Sequence, residues 1–366
     1  MKPFTLAVPQ KRLDWITRRV ADAHIGYAPD DDDWQYGTNA AYLGELREYW
    51  RDHYDWRRAE AAFNAFPQFV AEIDHIGVHF YHVRGAPGAP GGGFPIILTH
   101  GWPGSVLEFL EVIPLLVARG YDVVVPSLPG YGFSQRPPRP IGARTIASMW
   151  RRLMVDVLGY ARFGAQGGDW GAPITFQLAH DHADAVAAIH VNMMVFRPTP
   201  DQITPEVRAW IEQGSKAMAG EGSYAAQQTH KPQTLGLALA DSPIGFASWL
   251  LEKFRSWTDC RGNVEMSLTK DAIITGIMTY LVSDNVQASF WLYNTLKLLA
   301  PFDHRIEVPL GFAEFREIRD PPPCAAIASV YNLVRWNKMA RGGHFAAWEE
   351  PELFAEEVAS FFDQWR

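Results

Sequence analysis

The chain has 366 residues, 48% of them hydrophobic, with a formal net charge of −8 and two cysteines. That length and apolar content supply a sizeable core and exclude global disorder. The acidic balance without a basic stripe argues against nucleic-acid binding, and two cysteines form neither a disulfide framework nor a metal pattern, so a reducing cytoplasm is the simplest expectation.

Residues up to about Phe69 are polar and helical in character, with many aromatics, among them Trp15, Trp34, Tyr42, Tyr49, Trp50, Tyr54 and Trp56. They lack strand alternation and read as helices and coil that must lie against something else. Met1 to Gln10 lacks a basic start followed by an apolar run, and no stretch is long and apolar enough to span a bilayer, so no leader or membrane anchor is expected. Asp30-Asp31-Asp32-Asp33 reads as a solvated turn, because no spaced oxygen ligands follow it. From Gln68 the texture changes. Val78 to Val83 alternates like a strand, and Gly85 to Gly93 is a Pro/Gly turn. Phe94 to Thr99 and Tyr121 to Pro126 are short apolar runs of buried-strand type, followed by helical periodicity over Val106 to Ala118 and Ile146 to Leu158. Ala161 to Gln166 reads as another strand and Ala172 to His182 as a helix, with later strands at Ala188 to Met193, Glu307 to Phe312 and Leu333 to Met339. Alternation of strand and helix implies a mostly parallel sheet flanked by helices. The interval Arg197 to Pro301 is instead helical and rich in large apolar residues, as expected of a cap over the strand ends.

Between one strand and one helix stands Gly167-Gly168-Asp169-Trp170-Gly171. Strand, glycine-flanked residue and helix make the pattern of a nucleophile elbow, where small residues two before and two after the nucleophile relieve crowding. Asp169 at its tip would form an ester to its own carboxylate, which selects a substrate with an electrophilic sp3 carbon. The turn His100-Gly101-Trp102-Pro103-Gly104-Ser105 can aim the Trp102 N–H at the same place, forming an oxyanion hole with the N–H of Trp170. Gly342-Gly343-His344-Phe345 follows the last strand and offers His344 as general base, in the order nucleophile, acid, histidine of the α/β-hydrolases. The orienting acid should follow the strand near Glu307, and spacing alone leaves Glu314, Glu317 and Asp320 open.

At these residues the chain resembles the microsomal-type epoxide hydrolases with their N-terminal segment. The resemblance runs from Trp34-Gln35-Tyr36-Gly37, Tyr54-Asp55-Trp56-Arg57 and Asn64 to Phe69 through His100 to Ser105, Gln166 to Gly171, Lys231 to Thr234, Asp241-Ser242-Pro243 and Gly342 to Ala347. It implies Asp169 as nucleophile, His344 as base and Tyr224 and Tyr293 as the two cap phenols that hold the oxirane oxygen. Against the family's Val-Pro-x-Gly and Phe-Pro-x-acid pattern, Val308-Pro309-Leu310-Gly311 is followed by Phe315-Arg316-Glu317, one residue short and without the proline. Glu317 is then the matching acid and Glu314 the reserve. The implied organisation is an N-terminal segment (1–70) wrapping core and cap, an α/β-hydrolase core in two parts (71–196 and 302–366) and a helical cap (197–301). The substrate pocket is expected to include His100, Trp102, Pro103 and Phe345. The expected reaction turns an epoxide, bulky and apolar or aryl, and water into a vicinal diol, with no cofactor and no metal. A homodimer is compatible with this reading; nucleic acid and membrane are not expected partners. The rivals are a haloalkane dehalogenase, which would use the same aspartate but needs halide donors where the phenols stand, and a non-catalytic ligand-binding protein on the same scaffold.

Overall fold

The computed structural model describes residues 1–27, 29, 34–86 and 93–366; the acidic run Asp30 to Asp33 and most of the Gly85 to Gly93 turn lie outside them. Nine strands form one sheet: β1 (Lys2–Phe4), β2 (Gln68–Ile73), β3 (Ile76–Val83), β4 (Phe94–Thr99), β5 (Tyr121–Pro126), β6 (Phe163–Gly167), β7 (Val186–Val191), β8 (Ile306–Glu314) and β9 (Tyr331–Lys338). Their order is β1-β2-β3-β5-β4-β6-β7-β8-β9. The first three pairings are antiparallel, and from β5 to β9 every pairing is parallel. This is the α/β-hydrolase fold.

Strands β5, β6 and β7 are buried along their whole length, and β4 nearly so, which explains why β4 and β5 read as short apolar runs. Gly164 and Gly167 on β6 lie an odd number of residues apart and so face opposite sides. A side chain at 164 would strike Phe362 of the helix Pro351–Phe362, and one at 167 would strike the helix Gly171–Asp181. Helices therefore cover both faces, and the sheet's centre is where the backbone packs tightest.

Two expectations need correction. The first 70 residues do contain strand: Lys2–Phe4 pairs antiparallel with β2, Lys2 opposite Val70 and Phe4 opposite Gln68. Three residues are too few to show alternation, and only the long-range pairing with β2 makes them a strand. The periodic stretch Val106 to Ala118 is broken into a 3-10 turn, Val106–Phe109, and a helix, Val112–Ala118. Pro114 sits in the first turn of that helix and has no N–H to carry an earlier helix through.

The aromatics of the N-terminal segment find their partners on the cap helix Lys270–Val282 and its neighbours. Tyr54 hydroxyl bonds Thr275, Tyr49 hydroxyl donates to Asp271 and Tyr42 hydroxyl to Glu265. Arg12, on the helix Gln10–Ala21, donates two hydrogen bonds to the Leu281 carbonyl. The segment thus ties β2 at the sheet edge to the cap. Among the described residues no helix is long and apolar enough to cross a membrane.

Phe63 closes the helix Trp56–Phe63 and is fully buried between Trp56 and Phe133, with ring centroids 6.0 and 5.3 Å away. Phe63→Ala is expected to lower the free energy of unfolding by about 3–5 kcal/mol, read as a lower midpoint in urea denaturation. A loss below 1 kcal/mol would mean that the segment is not packed on the core as described.

Candidate active site

β6 ends at Gly167 and the next helix begins at Gly171, so the chain reverses within a few residues. Crowding dictates the glycines. A Cβ on Gly167 would collide with the Gly171 carbonyl, one on Gly171 with the Thr99 carbonyl at the end of β4, and one on Gly168 with the Asn192 amide. Between them Asp169 holds φ 46°, the left-handed region, which costs an L-residue roughly 1–2 kcal/mol. The reversal leaves its carboxylate above the C-terminal ends of the parallel strands.

Each carboxylate oxygen of Asp169 has a defined neighbour. Oδ1 accepts the Trp102 N–H at 2.8 Å, delivered by the turn that follows β4. Oδ2 faces His344 Nε2 at 3.3 Å. Of the two amides considered for an oxyanion hole, that of Trp102 is therefore the one bonded to the carboxylate, while the Trp170 N–H belongs to the first turn of the elbow helix. His344 lies in the loop after β9, with its own N–H on the Trp257 carbonyl at 2.9 Å. Its Nδ1 lies 2.9 and 3.0 Å from the two oxygens of Glu317. Glu314, at the end of β8, accepts instead from Trp336 Nε1 at 2.7 Å and pairs with Lys338 at 3.3 Å. Asp320 accepts from Gln213 at 2.6 Å. Asp169, His344 and Glu317 thus form one line, and the other two acids stand outside it.

The charges in that line are coupled. Burial works against a charged His344, yet Glu317 and Asp169 on either side outweigh it and hold the imidazolium well above the usual histidine range. His100, by contrast, is buried and depressed to about 4. It accepts the Leu128 N–H at Nε2 (3.1 Å) and points Nδ1 at the Gly101 carbonyl (2.9 Å), so it is a neutral strut of the turn.

From the cap, Tyr224 (helix Ser223–His230) stacks on the Trp102 indole at 5.3 Å and 9°, and Tyr293 meets the same indole edge-on at 5.8 Å. The two phenol rings are 5.8 Å apart, and Tyr293 also packs on Trp170 at 5.1 Å. Burial, followed by the Asp169 charge for Tyr224 and by the other phenol for Tyr293, raises both hydroxyls above their usual range, so both remain protonated donors. Asp169, His344, Glu317, Tyr224 and Tyr293 all line a cavity of about 770 Å³ whose remaining wall is largely apolar, including Met193, Phe196, Trp210 and Phe312.

The other expected pocket residues sit differently. His100, Trp102 and Phe345 line a separate small chamber, and Pro103, in the cis peptide after Trp102, lines neither. Two residues that the sequence did not single out support the base. The Trp257 ring lies 4.9 Å from that of His344. Glu349 collects the N–H groups of Asp259 (2.7 Å), Gly343 (3.1 Å) and Phe345 (3.1 Å), pinning both sides of His344. Burial still pushes its carboxyl up to about 7. Only the proximity of Glu349 to the histidine motif hinted at this.

Comparison with known proteins identifies the family and the fold. The family described as "Epoxide hydrolase N terminus" matches residues 1–109 and the alpha/beta hydrolase fold family matches residues 95–226. A Stigmatella aurantiaca protein named "Putative epoxide hydrolase" is 41% identical over 100% of this chain and 85% of its own length. Epoxide hydrolase 1 of Sus scrofa is 30% identical over 99% of this chain and 88% of its own. The juvenile hormone epoxide hydrolase of Bombyx mori superimposes with a TM-score of 0.88 at 30% identity, covering 100% of this chain and 94% of the other. Aspergillus niger epoxide hydrolase superimposes with a TM-score of 0.86, also at 30% identity, covering 100% of this chain and 96% of the other.

Asp169→Asn removes one of the two carboxylates that hold His344 charged. Its pKa is then expected to fall by about one pH unit or more, followed by NMR titration of the ring. An unchanged value would show that the two groups are not coupled.

Proposed function

Because the chain belongs to the microsomal-type epoxide hydrolase family and is an epoxide hydrolase, we propose that it converts bulky apolar or aryl epoxides to vicinal diols through an ester on Asp169. The observation that carries this reading is the meeting of a pre-aimed carboxylate and two protonated phenols in one largely apolar cavity. A cavity of that volume suits a drug-sized ligand.

In the first step Asp169 Oδ attacks an oxirane carbon and the C–O bond breaks. The leaving oxygen is a poor alkoxide unless it gains hydrogen bonds or a proton, and Tyr224 and Tyr293 supply them. Proton transfer from a phenol to an alkoxide runs downhill, so their raised pKa values keep the donors loaded without preventing donation.

Ester formation neutralises Asp169. His344 thereby loses one of its two anionic neighbours and its pKa falls, so it passes its proton to the phenolate left by donation to the ring oxygen and becomes a neutral base for the next step. Water then attacks the ester carbonyl carbon and gives a proton to His344, while Glu317 holds the ring through Nδ1. The Trp102 and Trp170 amides receive the negative charge on the carbonyl oxygen, each such donor being worth about 10²–10³ in rate. Collapse of the tetrahedral species expels the diol oxygen, reprotonated by His344, and leaves on Asp169 an oxygen that came from water.

A single turnover in H2(18)O is expected to label Asp169, not the diol. Label in the diol would overturn the ester route. His344→Gln should accumulate a substrate-sized adduct on the peptide carrying Asp169, and Asp169→Asn should make no diol. Halide release from a haloalkane, with no diol from any epoxide, would favour dehalogenation.

Tyr224→Phe or Tyr293→Phe removes one hydrogen bond to a developing alkoxide, worth about 1.5–3 kcal/mol. Stopped-flow alkylation rates should drop about 10- to 150-fold for each variant and further for the pair, with the hydrolysis step little changed. Equal rates in both single variants and the double variant would remove the phenols from the mechanism.

A further inference from the structure

The proposed second step needs a water beside the Asp169 ester that can hand a proton to His344. The substrate cavity is mostly apolar and would be filled by the alkyl group of the intermediate. A separate chamber of about 20 Å³ adjoins the same two residues. Its lining shares only Asp169, Asn192 and His344 with that of the large cavity. Its volume is that of about one water molecule.

A water there needs more than His344 to hold it. Donating one proton to Nε2 and turning one lone pair to the Asp169 carbonyl carbon leaves it free to rotate, and a further polar group must fix it. His100 is committed to Leu128 and Gly101, and the Asn192 oxygen accepts from Gln166 Nε2 at 2.9 Å. Glu108, on the 3-10 turn Val106–Phe109, is among the residues lining the chamber, and its carboxyl interacts electrostatically with both His344 and Asp169. Oε1 accepts the Ser105 N–H at 3.1 Å. Among the described residues no protein group bonds its Oε2.

Two features set this glutamate apart from an ordinary helix cap. Gly104 has no side chain because the Glu108 carboxylate occupies the place where its Cβ would be. The Gly104 carbonyl is in turn held by the Tyr280 hydroxyl. The turn is therefore shaped around the carboxyl. Enclosure, with Asp169 adding to it and His344 opposing, pushes Glu108 up to about 8, so at neutral pH it is largely the uncharged acid. An acid with Oε1 occupied as acceptor presents Oε2–H to the chamber.

We propose that Glu108 positions the hydrolytic water, donating from Oε2 to its oxygen while the water gives a proton to His344 and attacks the Asp169 ester. The inference rests on the two-step reading above. A neutral donor fixes the water without placing another anion beside the oxyanion held by Trp102. The proton on Oε2 does not transfer: the water's proton goes to His344 and returns to the leaving diol oxygen.

Two variants test it. Glu108→Gln keeps a donor in the chamber and an acceptor for Ser105, since glutamine serves equally in this type of cap. Glu108→Met removes both. Rapid-mixing experiments on the full chain would resolve alkylation and hydrolysis with an aryl epoxide such as styrene oxide. For Glu108→Met, alkylation should stay within about 2-fold while hydrolysis slows about 10-fold or more, as expected for a misplaced reactant. The Asp169 adduct should then accumulate, and Glu108→Gln should restore most of the hydrolysis rate. Wild-type hydrolysis in Glu108→Met, or a parallel fall of both steps, would overturn the proposal. An adduct that forms but hydrolyses normally defeats the role of Glu108 alone, whereas no adduct in wild type or His344→Gln defeats the ester mechanism itself.

Discussion

The site depends on how closely three backbones approach at the elbow. β6 ends against β4, and the following helix starts so early that the Gly171 Cα faces the Thr99 carbonyl. No side chain fits at 167, 168 or 171, and at the tip between them Asp169 is forced into the left-handed region. That strain is small beside the packing of buried parallel strands that imposes it. The result is a carboxylate fixed by steric necessity, within reach of an amide from the loop after β4 and a histidine from the loop after β9. Parallel strands make this convergence natural, since all their C-terminal ends open on one side.

Charge then does what sterics cannot. Glu317 and Asp169 bracket His344 and together hold its pKa well above the usual histidine range against the effect of burial. In the proposed mechanism this coupling alone orders the two steps, without a moving part. Glu349 keeps the arrangement rigid by using three main-chain donors on both sides of the histidine, a stronger constraint than a single side-chain bond would be.

Much of this was legible in the sequence because the elbow, the His100 to Ser105 turn and the Gly342 to His344 turn are local patterns in which spacing and steric need coincide. The parallel strands were legible as apolar runs, since burial on both faces leaves no polar alternation. What was hidden depends on distant chain. Lys2–Phe4 is a strand only because β2 lies beside it. Glu317 could not be told from Glu314 and Asp320 by spacing, because the choice rests on which acid Trp336, Lys338 and Gln213 do not already hold. Glu349 was hidden because its targets are main-chain amides, two of them beside a histidine whose role comes from elsewhere, while Ser105-x-x-Glu108 reads in the sequence only as a helix cap.

Trp102 is where core and cap are brought into register. Its N–H belongs to the core and fixes Asp169; its indole belongs to the cap and is the surface on which Tyr224 stacks and Tyr293 abuts. Trp102 is a shared support for both phenols, with Trp170 against Tyr293 and Trp257 against Tyr224, so a shift of the cap would have to slide two rings across the same indole. The N-terminal segment opposes such a shift from outside, gripping Leu281, Thr275 and Asp271 on the cap while its other end is bound into the sheet edge. An insertion as large as this cap would by default move as a separate body. Here it is held both through the active site and around its back, and this double hold is what lets an aspartate on the core and two tyrosines on the cap act on one small ring.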